Sequence, residues 1–110
     1  MTERRADFSK LRCVINEVEK SKKFDYYLVV TGSHLLKKYG YTINEIKKDG
    51  FRIYKKFDMF YENEDDSLST MTMAFGRAII NLTKIIKKDI YWYCLKFSLE
   101  YNNILFFMLY

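Results

Sequence analysis

Residues 26–35 of the chain read YYLVVTGSHL, and the fold that the sequence predicts depends mainly on this segment. Residues 26–31 are uncharged and are aromatic, aliphatic or β-branched, and Gly32 ends the run, which is the pattern of a short buried strand. A strand that is apolar on both faces is typical of a parallel sheet with helices on each side. The polar residues that follow it, Ser33 and His34, should therefore lie at the carboxyl edge of such a sheet.

The segment before this strand predicts an amphipathic helix. Between residues 8 and 20, apolar side chains recur at helical spacing and charged side chains occupy the other face. Asp7 or Ser9 is expected to be the N-cap, because a side-chain oxygen there can accept a hydrogen bond from an amide that has no partner within the helix. Cys13 falls within the apolar stretch and is expected to be a small core residue.

The segment after the strand predicts a short helix and a second strand. Thr42 and Glu45 have the spacing of a capping box, in which each side chain accepts a hydrogen bond from the amide of the other residue. Gly50 is expected to be the C′ residue that ends this helix, because glycine adopts a positive φ without a steric penalty. Residues 51–57 alternate weakly between apolar and polar side chains and predict a strand.

The longest helix is expected over residues 68–87. Apolar side chains form one stripe along it, and this stripe is expected to pack in the core. Its members are Leu68, Met71, Phe75, Ala78, Ile79, Leu82, Ile85 and Ile86. Before this helix, residues 62–66 carry four acids in five positions and predict a solvated loop, and after it a further strand is expected to begin at Asp89.

This alternation of strands and helices predicts an α/β domain with a parallel sheet and helices on both faces. Residues 1–90 carry the pattern, whereas residues 91–110 form an aromatic-rich tail that does not continue it. A chain of 110 residues is one domain at most, with a core of ordinary size. Its apolar fraction of 49% and charged fraction of 30% are typical of globular proteins rather than disordered ones.

The net charge of +5 at pH 7 raises the alternative of a nucleic-acid or membrane partner. Most of the positive charge is lysine interleaved with acids, without a recognition helix of clustered arginines, so no nucleic-acid partner is expected. The two cysteines and the single histidine lack the spacing of a metal site or a disulfide framework. The uncharged run at residues 101–110 is too short for a membrane span, and residues 1–5 do not begin a secretory signal. No membrane partner is expected, and the expected location is the cytoplasm.

Four short motifs resemble one enzyme family in their order along the chain. They are RADFS at residues 5–9, TGSHL at residues 31–35, YGYT at residues 39–42 and EIKKDGF at residues 45–51. This ordered set resembles the amino-terminal half of hydrolysing UDP-N-acetylglucosamine 2-epimerases, which open sialic-acid biosynthesis by making N-acetylmannosamine. The resemblance extends over roughly residues 2–90, and the combination of RAD and GSHL favours the hydrolysing branch over the non-hydrolysing one.

The resemblance implies a Rossmann-like, three-layer half-domain, incomplete here, from a two-domain nucleotide-sugar enzyme. It also implies a reaction that eliminates UDP across C1–C2 of the sugar and then adds water, with no metal and no nicotinamide cofactor. The residues that match the family's UDP contacts are Arg5, Ala6 and Ser9. The matching histidine, His34, is expected to act as a catalytic residue in proton transfer or to contact the sugar. The residues alone also allow Arg5 as a surface charge, Ser9 as a cap and His34 as a packed structural histidine.

The expected function follows from the part of the family that the chain matches. Residues 91–110 contain no counterpart of the family's Gly-Asp-Arg turn, which suggests a shifted reading frame or a degraded gene end. We therefore expect a truncated epimerase that binds UDP or UDP-N-acetylglucosamine, is inactive alone and can form a homo-oligomer. The alternative is a noncatalytic nucleotide-sugar-binding or regulatory module that docks on a full-length paralogue.

Overall fold

The computed structural model of the chain describes residues 1–21 and 23–90. The chain divides into two compact units, Met1–Ala78 and Ile79–Tyr110. The sheet, the core and the candidate site described below lie in the first unit. The predicted boundary at residue 90 stays a prediction, and the predictions about residues 91–110 lie outside the described residues.

The sheet of the first unit is parallel. β1 (Leu28–Val30) pairs with β2 (Ile53–Lys56), both within the predicted strand ranges, and β1 is buried along its whole length. Thr2 forms a single parallel bridge to Val30, and backbone hydrogen bonds of 2.9 and 3.0 Å join the two segments. β1 therefore lies between two parallel neighbours, and all three segments end at the same edge of the sheet.

The hydrophobic core lies between β1 and the helices on either side of it in sequence. α1 (Arg5–Ser21) precedes β1, and α2 (Ile43–Lys48) follows it. Phe8 of α1 and Phe51 meet edge to face with ring centres 5.4 Å apart, which is a favoured geometry for an aromatic pair. The buried members of this core are Phe8, Ile15, Leu28, Val30, Leu35, Ile43, Ile46 and Phe51.

α1 begins at Arg5, earlier than the sequence predicts. The Arg4 carbonyl accepts the first helical hydrogen bonds, including one of 3.0 Å from the amide of Asp7. Asp7 and Ser9 therefore lie inside the helix, and the prediction that either is the N-cap is wrong. Cys13 is exposed, so its predicted place in the core is also wrong, because residues two positions apart do not share a helix face and Ile15 is the buried one.

The C-terminal end of α2 confirms the prediction and its N-terminal end does not. Gly50 has a φ of +85°, and the amides of Gly50 and Phe51 donate to carbonyls of α2 at 3.0 and 3.4 Å, as a Schellman motif with a C′ glycine requires. At the other end, Thr42 has helical backbone angles (φ −66°, ψ −3°) and makes no capping hydrogen bond. The capping-box prediction is wrong because the Thr42 hydroxyl hydrogen bonds to His34 instead.

α3 (Leu68–Ile85) lies close to its predicted range and continues as a π-helical turn over Ile86–Ile90. The prediction of a strand that begins at Asp89 is therefore wrong, because helical hydrogen bonding continues through that residue. Ser67 acts as the N-cap of α3, since its hydroxyl accepts a hydrogen bond of 3.3 Å from the amide of Thr70.

The apolar stripe predicted for α3 is mostly exposed, so the prediction that it packs in the core is wrong. Leu68 and Phe75 are exposed over 81% and 61% of their surface. Three residues spaced by four are buried: Thr70, Ala74 and Ala78, of which only Ala78 belongs to the predicted stripe. The two alanines cluster with the buried Met59, and their small side chains permit a close approach. The covered face of α3 is thus rotated away from its large apolar residues.

The described part of the chain is an α/β structure with a two-stranded parallel sheet and helices, compatible with a Rossmann-like half-domain. The predicted three-layer architecture and the second domain stay predictions. In this part of the chain, no helix has the length and the apolar character needed to cross a bilayer.

Candidate functional site

A cavity of about 470 Å³ lies at the carboxyl edge of the sheet. Its lining comes from the segments that follow Thr2, β1 and β2, which is where ligands bind in open parallel sheets. Residues 3–6 contribute one part of the lining, the turns between Ser33 and Thr42 contribute a second, and residues between 60 and 71 contribute a third. Every lining residue belongs to the Met1–Ala78 unit.

The start of α1 supplies the basic part of the cavity. Arg4, Arg5 and Ala6 line it, and the first amides of a helix have no acceptors within the helix. Arg5 Nε lies 3.2 Å from Glu45 Oε2. Arg4 Nε lies 3.4 Å from Asp7 Oδ2. Exposed ion pairs of this kind contribute little free energy, so an anion in the cavity could replace either carboxylate.

The structure brings two of the three predicted UDP contacts to the cavity. Arg5 and Ala6 line it, whereas Ser9 is not among the lining residues. The Ser9 hydroxyl donates a hydrogen bond of 2.8 Å to the Ala6 carbonyl. Ser9 therefore supports the backbone of the cavity wall, and its direct contact with UDP stays a prediction.

Gly32 allows the segment that leads into α1 to pass close to the end of β1. Its φ is +65°, and a Cβ at this position would lie 2.2 Å from Glu3 Cγ and 2.8 Å from the Glu3 carbonyl oxygen. The Ser33 hydroxyl donates to the same carbonyl at 3.1 Å. The contact between Gly32 and Glu3 could not be predicted from the sequence, because it joins residues far apart in the chain.

His34 is buried beside the cavity rather than in its lining. His34 is only 1% exposed. Its Nε2 lies 3.1 Å from the Thr2 hydroxyl, and its Nδ1 lies 2.7 Å from the Thr42 hydroxyl. The ring thus connects the segment before α1 to the start of α2. Thr42 itself lines the cavity, so His34 contacts the lining through this hydroxyl. Its predicted catalytic role stays a prediction.

The environment of His34 favours the neutral imidazole. Burial lowers the pKa of His34 below its ordinary value of 6.5, and it outweighs the opposing influence of the Arg4 backbone and the charges of Asp7 and Glu45. A neutral imidazole has one donating and one accepting nitrogen, and a threonine hydroxyl can serve either of them. Both threonine contacts can therefore be hydrogen bonds at neutral pH.

The acidic segment, residues 62–66, is an exposed loop, as the sequence predicts, with only Glu64 half-buried. Hydrogen bonds from neighbouring residues hold its carboxylates in place. Glu64 Oε1 accepts hydrogen bonds of 2.8 and 2.7 Å from Arg77 Nη1 and Nη2, and Glu64 Oε2 accepts one of 2.9 Å from the Tyr61 amide. The bond from the Tyr61 amide, and then those from Arg77, lower the pKa of Glu64. Asp65 accepts a bond of 2.6 Å from the Thr70 hydroxyl, which is the largest cause of the lowered pKa of Asp65.

The acidic segment also contacts the turn at Lys37–Tyr39, which contributes Lys38 and Tyr39 to the cavity lining. The Lys37 amide donates to the Glu62 carboxylate. Lys38 Nζ lies 3.5 Å from Asp66 Oδ1. The Tyr39 hydroxyl donates to the same carboxylate at 3.4 Å. The sequence signals only the charge of these segments, so the contacts between them could not be predicted from it.

Tyr61 lines the cavity and contacts α3. The guanidinium carbon of Arg77 on α3 lies 4.5 Å from the centre of the Tyr61 ring, within the range of a cation–π interaction. Sequence analysis missed both residues, because no local motif indicates a contact between a loop tyrosine and an arginine in the middle of a helix. Within the described residues, no group of three or more His, Cys, Asp or Glu side chains is placed to hold a metal ion.

Comparison with curated proteins identifies relatives among bacterial epimerases. The chain is 33% identical over 89 residues to the UDP-N,N'-diacetylbacillosamine 2-epimerase (hydrolyzing) of Legionella pneumophila, covering 81% of this chain and 23% of the relative. It is 35% identical over 75 residues to the GDP/UDP-N,N'-diacetylbacillosamine 2-epimerase (hydrolyzing) of Campylobacter jejuni, covering 66% of this chain and 19% of the relative. It is 35% identical over 52 residues to the UDP-N-acetylglucosamine 2-epimerase of Neisseria meningitidis, covering 47% of this chain and 14% of the relative.

No protein-family model matches the chain. The chain spans less than a quarter of the length of each of these three relatives. The resemblance indicated by the four sequence motifs is nevertheless confirmed, since all three relatives are 2-epimerases of sugar nucleotides. The match is consistent with an amino-terminal part of such enzymes.

Proposed function

We propose that the chain forms the amino-terminal part of the nucleotide-sugar site of a hydrolysing 2-epimerase, and that the cavity at the carboxyl edge of the sheet holds the ligand. The observation that carries this proposal is the position of Arg4, Arg5 and Ala6. They line the cavity at the start of α1, in a chain whose relatives act on sugar nucleotides.

The diphosphate of the ligand binds at the start of α1. A helix amino terminus presents free amides and the positive end of the helix dipole, both of which favour a phosphate. Arg5 exchanges the Glu45 carboxylate for a phosphate group, and its guanidinium can donate two parallel hydrogen bonds to two oxygens of that group. Ser9 holds the Ala6 carbonyl, so its loss weakens binding through the backbone.

The reaction of the complete enzyme needs a base that removes the C2 proton, an acid that protonates the departing UDP and a water molecule that adds afterwards. His34 is the candidate for proton transfer that its motif suggests, but one of its two threonine hydrogen bonds must open before it can reach a ligand. This chain alone does not turn over UDP-N-acetylglucosamine, because part of a site cannot orient the sugar for elimination.

The test is a titration of the purified chain with UDP, followed by NMR. We expect a dissociation constant of about 1 mM, which corresponds to about −4 kcal/mol. Arg5→Ala should weaken binding about fivefold, through loss of a charge-assisted contact worth about 1 kcal/mol at an exposed site. Arg12→Ala is the matched control, because Arg12 also lies on α1 in an exposed ion pair but is not in the cavity lining.

The controls separate the possible results. Equal weakening in Arg5→Ala and Arg12→Ala would indicate a nonspecific charge effect and would count against the proposed site. Release of UDP from UDP-N-acetylglucosamine or from UDP-N,N'-diacetylbacillosamine by the purified chain would show that the chain is active alone. Both sugars belong in this assay because the names of the three relatives include both.

The second candidate is a noncatalytic module that binds a nucleotide sugar and docks on a full-length paralogue. The exposed apolar residues of α3, such as Leu68 and Phe75, favour this alternative. Micromolar binding of UDP without turnover, together with a stable complex between this chain and a full-length epimerase, would support the module over the inactive fragment.

A further inference from the structure

We infer that the sugar ring of the nucleotide sugar, and not its base, lies against Tyr61. This inference rests on the proposed function, since it assigns the two ends of the ligand to two parts of the same cavity. Residues 3–6 are its basic part. A second part of the lining consists of three aromatic residues and one methionine, and we name it the aromatic wall: Tyr39, Phe60, Tyr61 and Met71.

The ring of Tyr61 is held in place by a closed set of contacts. Arg77 lies 4.5 Å from the ring centre, Glu64 Oε1 accepts two hydrogen bonds from Arg77, and Glu64 Oε2 accepts one from the Tyr61 amide. Tyr61 is still 53% exposed, so part of its ring surface remains available to a ligand. When a ligand ring packs on an aromatic side chain that is already held in place, that side chain loses little conformational entropy.

The charges beside the aromatic wall determine which end of the ligand it can accept. Glu64, Asp65 and Asp66 line the cavity there. The contacts of Glu64 with Arg77 and of Asp65 with Thr70 favour the ionised form of these two carboxylates. Like charges repel a diphosphate from this part of the cavity, whereas the arginines at the start of α1 attract it. The ligand is therefore oriented with its phosphates toward α1 and an uncharged end toward Tyr61.

The hydrogen-bonding groups of the two uncharged ends differ. Uracil carries two carbonyl acceptors and a single ring N–H donor, so carboxylates are poorly matched to it. An N-acetylated hexose carries hydroxyl donors and amide N–H donors, and ionised carboxylates accept from both. Its ring also has apolar C–H groups that can pack on an aromatic face. The pairing of aromatic side chains with carboxylate acceptors thus fits an acetamido sugar better than a pyrimidine.

The inference is tested by measuring the affinity of the chain for UDP and for UDP-N-acetylglucosamine, with Tyr61→Ala and Tyr61→Phe variants. We expect Tyr61→Ala to weaken binding of the sugar nucleotide about tenfold, or about 1.4 kcal/mol, and to change UDP binding by less than twofold. Tyr61→Phe keeps the ring and should bind both ligands like the unchanged chain. Phe24→Ala is the control for loss of an exposed aromatic residue outside the cavity.

Saturation-transfer NMR on the unchanged chain gives a second measurement that does not depend on a variant. The sugar protons should receive more magnetisation from aromatic protein protons than the uracil protons do. Equal loss of UDP and UDP-N-acetylglucosamine binding in Tyr61→Ala would place the base at Tyr61 and overturn the inference. If Tyr61→Ala weakened the binding of neither ligand, the inference would also be overturned. If the unchanged chain binds neither ligand, the proposed function and this inference both fail.

Discussion

The surroundings of His34 and the outer face of α3 differ in what they expose to solvent. Around His34, polar groups are buried and bonded to each other, since the imidazole contacts the hydroxyls of Thr2 and Thr42 at 3.1 and 2.7 Å. On α3, large apolar side chains such as Leu68 and Phe75 are exposed. Buried polar groups with partners hold a fold in one arrangement, whereas an exposed apolar face contributes little to it. We conclude that the stability of the first unit is concentrated around β1.

The largest expected effect concerns the close passage of Glu3 over Gly32. Gly32→Ala should destabilise the fold by about 3 kcal/mol or more, because the new methyl group meets Glu3 and the φ of +65° is unfavourable for alanine. Gly50→Ala is the matched control: its φ is +85°, but no atom lies within 4 Å of the added Cβ, so we expect a loss of only about 1 kcal/mol. Urea unfolding measures both, and equal losses would contradict the close passage.

A smaller effect is expected at His34. Replacing it by glutamine leaves a shorter, differently shaped partner for two threonine hydroxyls and should cost about 2 kcal/mol at pH 7.5. The substitution should also change the pH dependence. Because the folded pKa of His34 lies below 6.5, the unfolded chain binds more protons below that pH. The stabilisation is complete above pH 6.5 and decreases as the pH falls toward the folded pKa.

Unfolding curves of the unchanged chain and of His34→Gln between pH 5 and 7.5 check this sign. The difference between the two should shrink as the pH is lowered. This range lies above the ordinary pKa values of Glu64 and Asp65, which are 4.5 and 3.8, so the acidic segment does not obscure the result. A difference that grows on acidification would mean that the charged imidazole is the form favoured by the fold.

These two regions also explain which parts of the fold can be predicted from sequence. β1 and Gly50 were predictable because an apolar run and a C′ glycine are local signals. The capping box at Thr42 was not, because its hydroxyl bonds to His34, which local spacing does not reveal. The face of α3 that packs was not predictable either, because periodicity identifies an apolar stripe but not the element that covers it, here Met59 against small residues.

In the candidate site, too, some residues were indicated by a local motif and others were not. Arg5 and Ala6 were predicted from a motif and lie in the cavity. Tyr61 and Arg77 carry no motif, and only the folded chain brings them together. Contacts that join distant segments therefore account for the part of the site that the sequence did not reveal.

The smallest expected effect on stability concerns the exposed face of α3. Phe75→Ser should change the free energy of unfolding by less than about 0.5 kcal/mol, and it should reduce any self-association of the chain, because exposed apolar patches promote association. Ala74→Leu, one position earlier, should instead cost about 1–2 kcal/mol, since Ala74 is fully buried. Unfolding curves and sedimentation measure the two effects. A larger loss in Phe75→Ser than in Ala74→Leu would contradict the observed face.

The most direct test of the proposed site is a map of backbone amide shifts on titration of the full chain with UDP. We expect the amides of residues 3–6, at the start of α1, to shift most, and we expect Arg5→Ala but not Arg12→Ala to reduce these shifts. Saturating shifts that centre elsewhere, or no saturation at several millimolar UDP, would contradict the account.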